Sequence, residues 1–447
     1  MITVTDKYID SLYELTQIEF PEPVILQAKK CLLDYLGVTF AGAALLKEKG
    51  DAFLNRLEDG NISVIGFNRK TNLYNAALLN GMSAHIAELD DGMRQGSIHP
   101  GAPIISALLP VVQQYNLTGN DLLRGMIAGY EAAIRLACAI QPAHRNKGYH
   151  ATGTCGSIGA ALGVGAALGF SKQQMKNTLS AAATGASGIL NVIKGISELK
   201  PYNAGQAAVS GIMAALIAQA GFNGSSDVLT GQWGFIDMMT DKSNLSILER
   251  KPDEKFGIEK VYVKPYAACR HCHPAIEATL LLRKNQAIEP EKIKEIVVET
   301  YHLAVNGHEH TEIKGVTDAK MSTPYSVAVA LIRGKAGIEE YADGVITDKQ
   351  IAELAKTVNV IADDVLNSFV PEKRPAVVTI TTHNQKQFSF RVDLAKGEPE
   401  NPLTIEEIEE KYLSLLIFAN RERDVSENIM KYVWNIENDL NKLLEGI

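Results

Sequence analysis

Two stretches of this chain, residues 156–169 and 204–222, are almost wholly apolar yet are assembled largely from glycine and alanine. Side chains this small bury apolar surface only when helices approach until their backbones nearly touch. Such runs therefore constrain the fold to closely packed helices. Gln206, Ser210 and Gln219 interrupt the second run, and both read as buried core helices, not membrane spans. Gly159, Gly163, Ala181, Ala182, Ala183 and Gly185 place further small residues on helix faces. Aromatic residues make up only 6% of the chain, which disfavours a large β-sandwich. No strand precedes the glycines, so they are not a dinucleotide-binding fingerprint.

The helical period covers residues 1–258, and the chain's 447 residues suit two or three domains. A helix is expected from Pro23, with Ile25, Ala28, Leu32 and Leu36 on one face, and others over 75–89, 103–115 and 120–140. From about residue 259 the character changes. The run 293–305 is β-rich, and 377–382 with 388–393 alternate around Asn384 and Gln385 as a hairpin does. Helical segments lie between, at 274–284, 324–333 and 348–358. The reading is a mainly α fold: a helical domain over 1–258, a smaller α+β domain over 259–398, and a segment 399–447 that rejoins the first. Residues 396–402 have a linker's composition.

The formal net charge is −8, with no basic footprint for nucleic acid and an acidic surface that anionic membranes repel. Asp6, Asp10, Glu14 and Glu19 stand where a signal peptide would be basic, so a cytoplasmic protein is expected. Five sparse cysteines form no disulfide framework.

Three times a basic residue directly precedes a proline that opens an apolar helical run: His99-Pro100, Lys200-Pro201 and His273-Pro274. Proline suits a first helical turn, which sets each cation against the positive end of a helix dipole. A bound anion would relieve that conflict. His150 before Ala151-Thr-Gly-Thr, and Ser322-Thr-Pro-Tyr325, are two further helix starts with polar side chains.

A second constellation is His85-Ile-Ala-Glu88-Leu-Asp90-Asp91, with His99 eight residues on. It suits acid–base work or the orienting of histidines, and a metal site lacks a second ligand pair. The third is Cys269-Arg270-His271-Cys272-His273. It matches a haem-attachment pattern, but haem requires export. Structural zinc requires a second pair, and His144, His302, His308, His310 and His383 are scattered or without a partnering cysteine pair. No metal or cofactor is therefore expected.

These blocks continue as Gly148-Tyr-His-Ala-Thr-Gly-Thr-Cys-Gly, Lys200-Pro-Tyr-Asn-Ala-Gly-Gln-Ala-Ala, Lys264-Pro-Tyr-Ala-Ala-Cys-Arg-His-Cys-His-Pro-Ala-Ile and Pro324-Tyr-Ser-Val-Ala-Val-Ala. In order and spacing, along nearly the whole chain, they resemble the MmgE/PrpD family. That family includes 2-methylcitrate dehydratase, cis-aconitate decarboxylase and iminodisuccinate epimerase. The resemblance implies a helical domain built from both chain ends and an α+β lid, a metal-free homodimer, and a site between the domains. It carries active-site roles to Asp90, Asp91, His99, His150, Lys200, His273 and Tyr325. Glu88 stands where several relatives have Asp, and Gly92 where decarboxylase-like members have Thr. The loop 92–98 is one residue longer than theirs.

The chemistry implied is bond making or breaking at a carbon next to a carboxylate, where preorganised cations and helix N–H groups stabilise the charge that builds. Lys200, His273 and His99 are expected to hold substrate carboxylates, with Glu88, Lys264 and Arg270 as neighbours in the same task. His150 or Tyr325 would move protons. Asp90 and Asp91 would orient histidines or protonate a leaving hydroxyl. The leading expectation is a hydro-lyase for a 2-methylcitrate-like hydroxy polycarboxylate. Decarboxylation of a cis-aconitate-like acid, epimerisation of an imino- or amino-dicarboxylate, and a catalytically silent carboxylate binder are the alternatives.

Overall fold

The structure, a computed structural model, describes residues 2–193 and 197–447. The fold is mainly α with a smaller α+β part. One compact unit takes the chain up to Tyr262 together with Thr404–Ile447; the other is Val263–Leu403.

At the centre of the first unit lies helix Ala151–Ala167, buried along its whole length. Its small residues permit this. A methyl group on Gly163 would meet the Gly125 carbonyl at 2.7 Å, and one on Gly159 would meet the Gly129 carbonyl at 2.8 Å. Helices Ala151–Ala167 and Gly119–Ile140 thus touch backbone to backbone, as the small-residue runs predict. Helices Gly101–Tyr115 and Lys200–Gln219 pack on other sides of the same core. Thr118 and Asp121 form a capping box that starts Gly119–Ile140, one residue before the expected start at 120. Helix Ile405–Phe418 returns to pack on Glu22–Leu45. Its Lys411 reaches the buried Asp34 at 2.5 Å and the Leu89 carbonyl at 2.9 Å. A two-stranded ribbon, Ile62–Val64 with Arg69–Thr71, stands in a region expected to be nearly all helix. Among the described residues no helix is long and apolar enough to cross a membrane.

The second unit holds a four-stranded sheet in the order Val358–Ala362, Ile293–Thr300, Ala376–Thr382, Gln387–Val392. The last pair is the expected hairpin, with Val378 opposite Phe390. Burial alternates along Ala376–Thr382, so one face of the sheet is covered. Helix His273–Asn285 packs against the strands of the hairpin. Residues 348–358 were expected as one helix; instead Lys349–Ala355 is helical and Val358–Ala362 pairs in parallel with Ile293–Thr300. Nor is 396–402 a loose linker. Glu398 is buried and ion-paired with Arg270 at 2.6 Å.

Candidate functional site

Helix Leu73–Ile86 is started by Asn72, whose side chain accepts from two backbone N–H groups, and it carries His85 in its last turn. The chain then turns sharply, with Glu88 in the left-handed region at φ 57°. That turn folds Asp90 back onto His85. The Asp90 carboxylate accepts from His85 Nδ1 at 2.6 Å, and both side chains are buried. The proton is therefore on Nδ1, which leaves Nε2 as the lone-pair nitrogen. That Nε2 is buried and makes no hydrogen bond.

His99 lies beside this pair, its ring centroid 5.0 Å from that of His85. Its Nδ1–H donates to the Asp91 carbonyl at 2.7 Å, with Asp90 Oδ2 at 3.5 Å. Asp91 itself faces the other way. Its carboxylate accepts from the Gly101 N–H at 3.0 Å and the Tyr130 hydroxyl at 2.7 Å, at the start of helix Gly101–Tyr115. Burial, helped by the charge of Asp90, raises the Asp91 carboxyl to about 7 against the hydrogen bonds from Tyr130 and Gly101. The donor atoms of His85, Asp90 and His99 lie within 4.8 Å of one another, as a metal site requires. Here, however, Nδ1 of both histidines is spent on hydrogen bonds to protein oxygens.

His150 stacks on His85 at 5.8 Å between centroids and sits at the start of helix Ala151–Ala167. Asn203 donates its amide N–H to His150 Nδ1 at 3.0 Å. The same amide nitrogen faces the Ile189 carbonyl at 3.3 Å, which can only accept, so the orientation of the amide follows. His150 consequently carries its proton on Nε2. Burial, then the neighbouring His85, Lys200 and His99, push its basicity well below the usual histidine range. Lys200, the first residue of helix Lys200–Gln219, is ion-paired with Glu88. Asn203 was not singled out from sequence, and His85 only as part of the acidic constellation, without a role of its own.

The remaining expected residues belong to the second unit. His273 begins helix His273–Asn285 and is fully buried. Arg270 donates to its Nδ1 at 2.7 Å, and its Nε2 donates to the Ala268 carbonyl at 3.1 Å, so it is a neutral imidazole here. Arg270 also holds Glu398. Lys264 is buried. Tyr325, in the first turn of Thr323–Arg333, donates to the Glu340 carbonyl at 2.7 Å, and burial pushes its phenol pKa up. The basic residue stands just before or at the first position of each predicted helix, but His273 is uncharged here and both its ring nitrogens are taken by protein partners.

Residues 11–248, more than half of the chain, match the MmgE/PrpD N-terminal domain, and residues 266–436 match the MmgE/PrpD C-terminal domain. Human cis-aconitate decarboxylase is 24% identical over 97% of this chain and 92% of its own length. A cis-aconitate decarboxylase-like protein of Aspergillus oryzae is 26% identical over 63% of this chain, and the match spans 62% of that protein, under two thirds. The mitochondrial 2-methylcitrate dehydratase of Yarrowia lipolytica is 24% identical over 57% of this chain and 50% of its own. The ordered blocks, the helices that carry them and these two domain matches agree: the chain belongs to the MmgE/PrpD family.

Proposed function

We propose that this protein is a hydro-lyase that dehydrates a 2-methylcitrate-like hydroxy polycarboxylate. The observation that carries the reading is the His85–Asp90 pair, which leaves one buried, unpartnered imidazole nitrogen as a base. In this reading His85 Nε2 takes the proton from the carbon next to a substrate carboxylate, and Asp90 stabilises the imidazolium that forms. The carbon–oxygen bond breaks as the electron pair forms the double bond. His99 enters this step as the imidazolium, with Asp90 Oδ2 3.5 Å from its Nδ1, so the leaving hydroxyl takes the Nε2 proton of that cation and departs as water. The carboxylate on which charge builds accepts from His150 Nε2–H, a donor that Asn203 keeps in the right tautomer. Lys200 and the first N–H groups of its helix hold a second carboxylate.

Decarboxylation is the second reading, because the human and mouse relatives that match along most of their length carry that name. Against it stands Gly92, where decarboxylase-like relatives have Thr and where a side chain would overlap the Tyr262 ring. We further read the protein as a homodimer, since Tyr202, Met213 and Ile217 expose an apolar stripe on helix Lys200–Gln219. Sedimentation tests this.

The deciding experiment feeds hydroxy- and unsaturated polycarboxylates to the purified chain and reads products by mass spectrometry. Loss or gain of water is expected. Carbon dioxide release establishes the decarboxylase reading, and inversion alone establishes an epimerase. H85Q should still bind substrate but stop exchange of the α-proton in deuterated water. Equal substrate affinity in K200A and wild type would remove the anion-holding role.

A further inference from the structure

The second unit contains a cluster that the dehydration chemistry leaves unused. Cys269, His271 and His308 each present a ligand atom within 4.8 Å of the other two. The sequence places His308 far from the cysteine pair, and for that reason it argues against zinc. The fold removes the objection. The backbone N–H of Cys269 donates to the Lys320 carbonyl at 2.8 Å, and that of Thr323 donates to the His308 carbonyl at 2.9 Å. These two bonds bring the turn Arg270–Cys272 and the loop at His308 together through one shared segment. Cys269 Sγ and His308 Nε2 end 3.8 Å apart.

We infer that Cys269, His271 and His308 form a binding site for a borderline-soft divalent cation of the zinc class. Zinc bonds of ~2.3 Å to sulfur and ~2.0–2.1 Å to nitrogen at tetrahedral angles separate sulfur from nitrogen by about 3.5 Å, close to the 3.8 Å between Cys269 Sγ and His308 Nε2. One thiolate with two imidazoles suits zinc over magnesium or calcium, which take oxygen ligands.

The surroundings are those of metal-ligating histidines. His308 donates Nδ1–H to the Met321 carbonyl at 2.6 Å, which keeps the Nε2 lone pair toward Cys269. His271 Nδ1 meets the buried Tyr301 hydroxyl at 2.5 Å, which fixes its ring. Cys272 is engaged elsewhere, taking a hydrogen bond from the Thr323 hydroxyl at 3.4 Å. Three protein ligands leave the fourth position to solvent. The ion would brace the turn from which Arg270 and His273 project.

The test titrates the full-length protein, stripped with chelator, with zinc and then with cobalt(II). One zinc per chain should survive desalting, read by elemental mass spectrometry. Cobalt should give a thiolate-to-metal charge-transfer band and the strong visible bands of a tetrahedral site. Bound zinc should slow alkylation of Cys269 at least tenfold in the wild-type protein, mapped by peptide mass spectrometry. C269S should lose the charge-transfer band, and H308Q should weaken zinc at least tenfold with its circular dichroism unchanged. No retained metal, alkylation of Cys269 at the same rate with and without zinc, or zinc binding that survives both substitutions would overturn the site. Because the wild-type alkylation result stands by itself, a misfolded variant does not leave the question open.

Discussion

His150 and Asn203 share a 3.0 Å hydrogen bond in which the amide is the donor, so the imidazole proton is confined to Nε2. The bond joins the starts of two helices, Ala151–Ala167 and Lys200–Gln219. Replacing Asn203 by alanine frees the tautomer. N203D should do worse, because its carboxylate accepts from Nδ1–H and turns Nε2 into an acceptor. We expect turnover to fall on the order of 100-fold in either variant, with little change in KM. In N203D the histidine should also titrate at higher pH, which the pH–rate profile or histidine NMR will read. An unchanged pH profile in N203D would show that Asn203 acts only as packing.

Asp91 gives the stability of the fold a pH dependence of known sign. Its carboxyl, raised from the usual 3.8 to about 7 by burial, holds a proton in the folded state that the unfolded chain has lost. Between those values the native state binds more protons. The stabilisation is full below about 3.8 and is lost as pH rises to about 7. D91N keeps an acceptor for the Gly101 N–H and does not titrate. The difference in stability between D91N and wild type should therefore move in favour of D91N from pH 4 to pH 8, in urea unfolding at several pH values. A constant difference across that range would contradict the assignment.

Much of this was readable from residue patterns, and the failures have physical causes. The Gly and Ala runs foretold backbone-to-backbone packing because no other arrangement buries them. The helices opened by Pro201, Pro274 and Pro324 begin where proline placed them. The strand Val358–Ala362 was hidden because its partner Ile293–Thr300 is far away in sequence, and a short apolar run after a helix has the same local pattern either way. The strands Ile62–Val64 and Arg69–Thr71 are too short to alternate visibly. His85 was in view as part of an acidic motif, but its role rests on which nitrogen Asp90 occupies. Asn203 faces a histidine 53 positions earlier, and His308 faces a cysteine 39 positions earlier. Only the packed helices and loops bring such pairs together.

Lys411 ties the C-terminal segment to the acidic loop. It pairs with Asp34 at 2.5 Å and donates to the Leu89 carbonyl, the residue before Asp90. Asp34 is buried, so K411M would take a counter-charge away from a buried carboxylate. We expect a loss of about 3–5 kcal/mol. K411M combined with D34N should recover most of it, since the buried carboxylate is then gone as well. Denaturant unfolding of the four proteins closes the cycle. If the double variant were as unstable as K411M, the cost would lie in lost packing of the lysine stem.

Gly92 and Tyr262 exchange backbone hydrogen bonds, Gly92 N to Tyr262 O at 3.0 Å and Tyr262 N to Gly92 O at 2.7 Å. The Tyr262 ring lies where a side chain on residue 92 would go. That ring also stands edge-on to His99, 6.4 Å between centroids. G92A should therefore displace either the ring or the loop carrying Asp90 and Asp91, at about 1–3 kcal/mol. The decisive comparison sets G92A against a second background, Y262A, in which the space is open. There the added methyl group should cost almost nothing in urea unfolding, and the difference between backgrounds measures the steric coupling. If G92A cost the same with and without the ring, the demand for glycine would come from the backbone of the loop, and Tyr262 would have no part in setting the residue at 92.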